Sequence, residues 1–352
     1  MILDLMGGAA IAAIVSIIVC RILLAAGPLD TPVAARHAHK APTPTSGGLG
    51  IASGFAVGLL CLALFSDALP AEVSPHGAQL LGASAVVSLA LLVLGFWDDA
   101  HPISAKLKFA IFSLIALVGA AGLDAVRQFQ FGDMIWIAPY WLGLLGTALW
   151  IFTLVNCVNF MDGANGLAMG SVAIGITILG VIALTHGNGS VAGAAEAFCL
   201  AGALVGFLIW NFPHGRLFAG DAGALFTGGL AALCSILVVH RTGLSPVVPA
   251  LLFFPLLADA LITLAWRAVR RHSLLDGHSE HLYQIAIHAG MSHAEIALIY
   301  WAAMAGCGAV GFLVASDPGV APWIALTALS FAAVVVSLVG RRFAARRGIA
   351  GV

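Results

Sequence analysis

The stretch WIFTLVNCVNFMDGANGLAMG, residues 150–170, decides how this chain is built. An apolar run ends in Asn156, Asn159 and Asp162, breaks at Gly163 and Gly166, and gives way to a second apolar run. At 100° per residue, Asn156, Asn159 and Asp162 cover about a 120° arc of one helix face. Three hydrogen-bonding groups therefore converge where the glycines end the helix. A turn that caps two helices accounts for Asn165 and the glycines. It does not account for amides one and two turns further back. Polar groups at the edge of an apolar slab are costly and mark functional sites.

Hydrophobic residues make up 61% of the chain and charged residues 9%, against about 25% charged in an ordinary soluble domain. That excludes a soluble globular enzyme. Apolar runs between polar or Pro/Gly breaks number eleven: 3–26, 49–68, 78–97, 106–123, 141–158, 167–185, 195–211, 223–240, 246–267, 295–315 and 322–339. A spanning helix needs about 20 such residues. The fold class expected is an all-α integral membrane protein of 10–11 transmembrane helices, one domain over 1–352 with a basic tail at 340–352. The segment 124–140 is mixed, with Asp124, Arg127 and Asp133. The six cysteines lie one per apolar segment without a CxxC pair and read as packing residues.

Eleven spans put the two ends on opposite sides. One set of loops with the C-terminal tail holds twelve basic residues: Arg36, Lys40, Lys106, Lys108, Arg216, Arg267, Arg270, Arg271, Arg341, Arg342, Arg346 and Arg347. The other set holds Arg127 and Arg241. The positive-inside rule then gives N-terminus out and C-terminus in, with the polar clusters facing the cytoplasm. Asp4 ahead of the first apolar run and Arg21 near its far end agree with a retained first span.

Four further segments end at that same face. KAPTPTSGG, residues 40–48, is held extended by two prolines and lets backbone approach closely at its glycines. It reads equally as a loop whose lysine holds a phosphate and as a plain positive-inside loop. Asp98-Asp99 close the third run, the electrostatically unfavourable end of a helix for two carboxylates, with Lys106 and Lys108 following. Asp221 in FAGDAG opens the eighth run, either as an N-cap or as a metal-directed carboxylate beside N–H groups that receive phosphate oxygens. His278 and His281 end the last long loop; without HExxH or cysteine partners they do not make a zinc site, and a phosphate-contacting or proton-handling role stays open. His288 and His293 read as solvated, and Asp259, inside the ninth run, as a buried carboxylate that supports the site and needs a partner.

In this order, KAPTPTSGGLG, GFWDDA, NCVNFMDGANGLAMG, FAGDAGALFTGG, FPLLADALITLAWR and HSEHLYQ resemble the polyprenyl-phosphate N-acetylhexosamine-1-phosphate transferases over residues 36–284. The resemblance implies ten or eleven helices around a cytoplasmic cleft. It implies transfer of a sugar 1-phosphate from a UDP-N-acetylhexosamine to a polyprenyl phosphate in the bilayer, with Mg2+ (or Mn2+) and release of UMP. This is the first membrane step of O-antigen, capsule or cell-envelope polysaccharide synthesis at the bacterial inner membrane. No nucleic-acid partner is expected, and a homodimer is allowed.

Carried over by motif, Asp98, Asp99, Asp162 and His281 take catalytic positions, and Asn159 and Asp221 ligate the metal. Lys40, Asn156, Asn165, Arg271 and His278 contact substrate. Asn165 stands where many members carry aspartate, and His281-Leu-Tyr283 replaces the histidine run of the phospho-N-acetylmuramoyl-pentapeptide transferases. That favours the O-antigen or capsule branch, with the peptidoglycan enzyme as alternative. A secondary transporter would favour breaks near the bilayer midplane and an internal repeat. An intramembrane aspartyl protease would carry Gly-x-Gly-Asp where Phe218 stands here.

Overall fold

The computed structural model describes residues 1–26, 29–30, 43–66, 75–274, 276–317 and 319–349. Thirteen helices among them carry the fold. They are α1 (Ile2–Ala26), α2 (Gly47–Phe65), α3 (Pro75–Ala100), α4 (Ala105–Gly122), α5 (Tyr140–Met161), α6 (Leu167–Thr185) and α7 (Val191–Asn211). The rest are α8 (Gly220–Thr242), α9 (Val248–Leu252), α10 (Phe254–Val269), α11 (Leu282–His288), α12 (His293–Val314) and α13 (Ala321–Arg346). Ten are long and apolar enough to cross a membrane. The protein is an all-α integral membrane protein.

The expected ninth span is interrupted. Pro255 has no N–H to donate and its ring crowds the carbonyl one turn back, so the chain breaks at Phe253 between α9 and α10. Together they cover residues 248–269. At 1.5 Å per residue that is about 33 Å, enough to traverse the hydrocarbon. The mixed segment holds an antiparallel hairpin, β3 (Gln128–Phe131) and β4 (Met134–Ile137), after the two-residue strands β1 (Leu29–Asp30) and β2 (Thr43–Pro44). A period-two pattern this short, outside any apolar run, is invisible beside the helical signal. Helix α13 also continues past residue 339 through the basic stretch to Arg346.

Helix α8 forms the centre: residues 222–239 are all buried. Its small residues permit that, because helices in lipid associate through close backbone approach. Gly48 of α2 faces the backbone of Gly223 so closely that a Cβ would collide with it. Most of α13 faces outward, its large apolar side chains exposed as a lipid-facing surface requires.

The helix ends sort into two faces. Gly47 N donates to Phe218 O (2.9 Å) and Trp210 Nε1 to Ile17 O (3.1 Å), joining the second half of α1, the start of α2, the end of α7 and the segment that leads into α8. On the opposite face Ser66 Oγ donates to Asp4 (3.4 Å), His240 Nε2 meets Asp124 O (3.1 Å) and Trp323 Nε1 donates to Gln130 O (3.2 Å). The first residues of α1 thus lie opposite the polar clusters, and the end of α13 lies with them.

Candidate active site

Asp98 is the buried member of the aspartate pair, 6% exposed at the end of α3. Its Oδ1 accepts from Ile103 N (2.7 Å), and its Oδ2 is paired with the Lys108 ammonium. The same ammonium lies 2.9 Å from Asp221 Oδ2, and Asn159 Nδ2 donates to Asp221 Oδ1 at 2.9 Å. Three helix ends and the start of α4 are thereby joined around one cation.

Asp99 has a different task. Its Oδ1 accepts from Asp221 N (2.9 Å) and its Oδ2 from Ala222 N (3.2 Å), so it caps α8 from a neighbouring helix. The cap residue of α8 itself is Ala219, and Asp221 lies inside the first turn. This corrects two readings of the FAGDAG segment. Asp221 is not an N-cap, and of the N–H groups at this helix start, those of Asp221 and Ala222 are taken by the Asp99 carboxylate and not left exposed for phosphate oxygens. Gly220, at φ +69°, permits the turn: a side chain there would meet both the Asp99 carboxylate and Thr45 O.

Asp162 follows α5, half-buried, and its carboxyl makes no hydrogen bond among the described residues. Burial, reinforced by the charges of Asp221 and Asp99, holds this carboxyl well above the usual carboxylate range. Gly166, at φ +77°, turns the chain into α6; its N–H donates to Asn211 Oδ1 (2.6 Å) and its carbonyl accepts from Trp301 Nε1 (2.9 Å).

A second cluster is built on Asp259, which is 8% exposed. Its Oδ1 accepts from Leu282 N (2.8 Å) and Thr263 Oγ1 (3.2 Å), and its Oδ2 from Tyr300 OH (2.6 Å) and Tyr283 N (3.2 Å). His281, 3% exposed, places Nδ1 3.7 Å from Asp259 Oδ1. The expected need for a partner is met by this set; Arg267, two turns further along α10, pairs with Glu280. The rings of His278 and His281 lie 4.9 Å apart. Burial, then neighbouring His281 and Arg267, pushes His278 down to about 4, so it is neutral at pH 7. The two clusters meet at the end of α5, where Phe160 lies 5.9 Å from the His281 ring and its carbonyl accepts from Tyr283 OH (3.1 Å).

The structure thus brings Asp98, Asp99, Asn159 and Asp221 into one bonded group, with Asp162 beside it and His281 and His278 one ring contact away. Other candidates stand apart. Asn156 turns its amide back to Phe152 O (2.7 Å) on its own helix. Asn165 holds the neighbouring loop through Pro213 O (3.1 Å), and Arg271 is exposed in the turn after α10, at φ +59°. Lys40 lies outside the described residues. His288 is exposed as expected, but His293 is not merely solvated: its Nδ1 accepts from Asn165 N at 3.3 Å. The central place of Lys108 and the buried Arg341 were not singled out by sequence. The signal for both was available, since buried carboxylates require cations.

The oxygen set suits a hard divalent ion that shares its coordination with substrate phosphates. No group of three or more His, Cys, Asp or Glu among the described residues is arranged to hold a metal alone. Asp221 and Asn159 nevertheless fit such an ion, Asn159 by turning its amide oxygen inward. Lys108 shows that the position between Asp98 and Asp221 attracts positive charge.

Residues 81–239 match the model for glycosyl transferase family 4. The chain is 27% identical over 299 residues, 82% of its length and 77% of the relative's, to a probable undecaprenyl-phosphate N-acetylglucosaminyl 1-phosphate transferase of Bacillus subtilis. It is 29% identical over 344 residues to a phospho-N-acetylmuramoyl-pentapeptide-transferase of Saccharopolyspora erythraea, covering 84% of this chain and 91% of that one. The corresponding enzyme of Lactiplantibacillus plantarum is 28% identical over 280 residues, 75% of this chain and 82% of its own. The protein is a membrane-embedded phospho-sugar transferase. In these matches it is similar to the polyprenyl-phosphate N-acetylhexosamine-1-phosphate transferase superfamily.

Proposed function

We propose that this enzyme transfers an N-acetylhexosamine 1-phosphate from a UDP-sugar to undecaprenyl phosphate, releasing UMP, at the cytoplasmic face of the bacterial inner membrane. The observation that carries the reading is the convergence of Asp98, Lys108, Asn159 and Asp221, from four helix ends, at one membrane edge. The facing rests on charge: all the basic residues on the polar-cluster side of the expected topology outnumber Arg127 and Arg241 opposite.

Both substrates are anionic phosphates that repel until neutralised. Mg2+ at Asp221 and Asn159 would supply Lewis-acid polarisation and stabilise charge on the departing nucleotide. Lys108 adds fixed positive charge where the phosphates meet. His281 contacts a phosphate, held in place by Asp259. An apolar cavity of about 480 Å3 between α5, α10 and α13, lined by Trp150, Thr153, Leu257, Leu261, Leu326 and Val334, has room for a part of the prenyl chain. The face of α5 that lines it leads on to Phe160 and the site.

A lipid phosphate has a second pKa near 6 by analogy with phosphorylated side chains and needs little deprotonation at pH 7. Asp98 has one oxygen on Ile103 N and the other on Lys108, which makes it a poor nucleophile. Direct attack by the lipid phosphate follows, with Asp98 positioning acceptor and cation. The O-antigen or capsule branch is favoured over the peptidoglycan enzyme because Tyr283 is buried and bonded to Phe160 O, so it serves packing where a histidine would meet substrate. Incubation with a panel of UDP-sugars, Mg2+ and polyprenyl phosphate tests the reading by UMP release. Stoichiometric UMP release without acceptor, with label trapped on Asp98 or Asp99, would overturn direct attack.

A further inference from the structure

Arg341 lies on α13 in the stretch that composition alone marks as basic tail, yet it is 1% exposed. A buried guanidinium must be bonded to be tolerated. Its Nη2 donates to Thr263 Oγ1 and to Glu280 O, both at 2.9 Å, and its Nε to Ser337 Oγ at 3.3 Å. The guanidinium also lies 5.2 Å from the centre of the Trp266 ring.

The bond to Thr263 has a directional consequence. A hydroxyl carries one hydrogen. With Arg341 donating into its lone pair, Thr263 turns that hydrogen onto Asp259 Oδ1, 3.2 Å away. The same Oδ1 accepts Leu282 N and faces His281 Nδ1. Arg341 therefore grips the segment around His281 twice. It holds Glu280 O directly, just before the histidine, and it orders Thr263 toward the carboxylate that holds the two N–H groups just after it.

We infer that Arg341 is a positioning residue for His281, acting through Thr263 and Asp259. The inference rests on the reading that His281 contacts a substrate phosphate. Removing a partner that orients a metal ligand costs about 10- to 100-fold in activity, and a loss on that scale is expected for the partner that orients His281. Because one nitrogen makes both key bonds, a lysine ammonium can replace it.

The test uses the full-length protein in detergent. Arg341→Gln and Thr263→Val are each expected to lower kcat about 10-fold with the donor KM little changed. The double variant should be no worse than either single one, since both act on one chain of bonds. Arg341→Lys should recover most of the loss. Backbone hydrogen exchange over residues 278–288 should quicken in Arg341→Gln and Thr263→Val, a readout independent of activity. A Thr263→Val enzyme with wild-type kcat, losses that multiply in the double variant, or unchanged exchange would each overturn the inference. Should Arg341→Gln fail to fold, Thr263→Val and Arg341→Lys decide by the same criteria. A wild-type protein inert to every UDP-sugar would count against the proposed function, and the exchange result would still decide the role of Arg341.

Discussion

Asp99 on α3 caps the first turn of α8, and the turn it closes holds Asp221: Asp99 Oδ1 accepts from Asp221 N at 2.9 Å. The aspartate pair therefore divides its work. Asp98 faces Lys108 and the site; Asp99 fixes the backbone that presents Asp221. Loss of a capping carboxylate costs about 0.5–2 kcal/mol, so Asp99→Ala should lower thermal stability in detergent as well as turnover. Asp99→Asn, which can still accept from one N–H, should retain more of both.

Asp221→Ala and Asn159→Ala should each cut UMP release by two to three orders of magnitude, the scale for losing a group that stabilises transition-state charge. Both proteins should remain monodisperse and folded. Near-normal turnover in either variant would remove that residue from the metal-binding role.

Lys108 stands between Asp98 and Asp221, which would otherwise repel each other. Lys108→Gln should therefore be destabilised in chelator, and Mg2+ should restore more stability to it than to the wild type. The measurement is thermal unfolding with EDTA against Mg2+. Equal Mg2+ responses in the two proteins would show that the ion does not occupy this position.

The raised pKa of Asp162 fixes the sign of a pH effect. Between the ordinary aspartate range and the raised folded value, the folded state keeps a proton that the unfolded state has lost. Stability therefore falls as pH rises through that window. If the carboxylate is the working form, kcat/KM rises through the same window, and Asp162→Asn abolishes that limb. Added Mg2+ should move the limb to lower pH, because a nearby cation favours the anion. His278 behaves oppositely: pushed down to about 4, it contributes stability that is lost as pH falls from 6.5 toward 4. His278→Gln should leave the Asp162 limb in place.

Much of this was legible in sequence because lipid imposes a simple grammar. Apolar runs announced the spans, and Asp98, Asn159 and Asp221 stood out because polar groups at their ends are costly. What sequence could not show was pairing. Asp221 read either as a cap or as a metal-directed carboxylate because its own segment has the composition of a cap, whereas the carboxylate that caps this turn, Asp99, comes from a helix about 120 residues earlier. Arg341 read as tail because a basic cluster after an apolar run looks like a positive-inside signal until Thr263 and Glu280 are seen around it. The break at Phe253 carried its own signal in Pro255, masked by apolar residues on both sides.

The central claim is that the bond broken lies between the two phosphates of the donor. Purified protein incubated with undecaprenyl phosphate, Mg2+ and UDP-N-acetylglucosamine labelled at the β-phosphate tests it directly. The account predicts that the label enters the lipid fraction, one equivalent per UMP formed. Label remaining in the nucleotide as UDP, with sugar alone on the lipid, would contradict it.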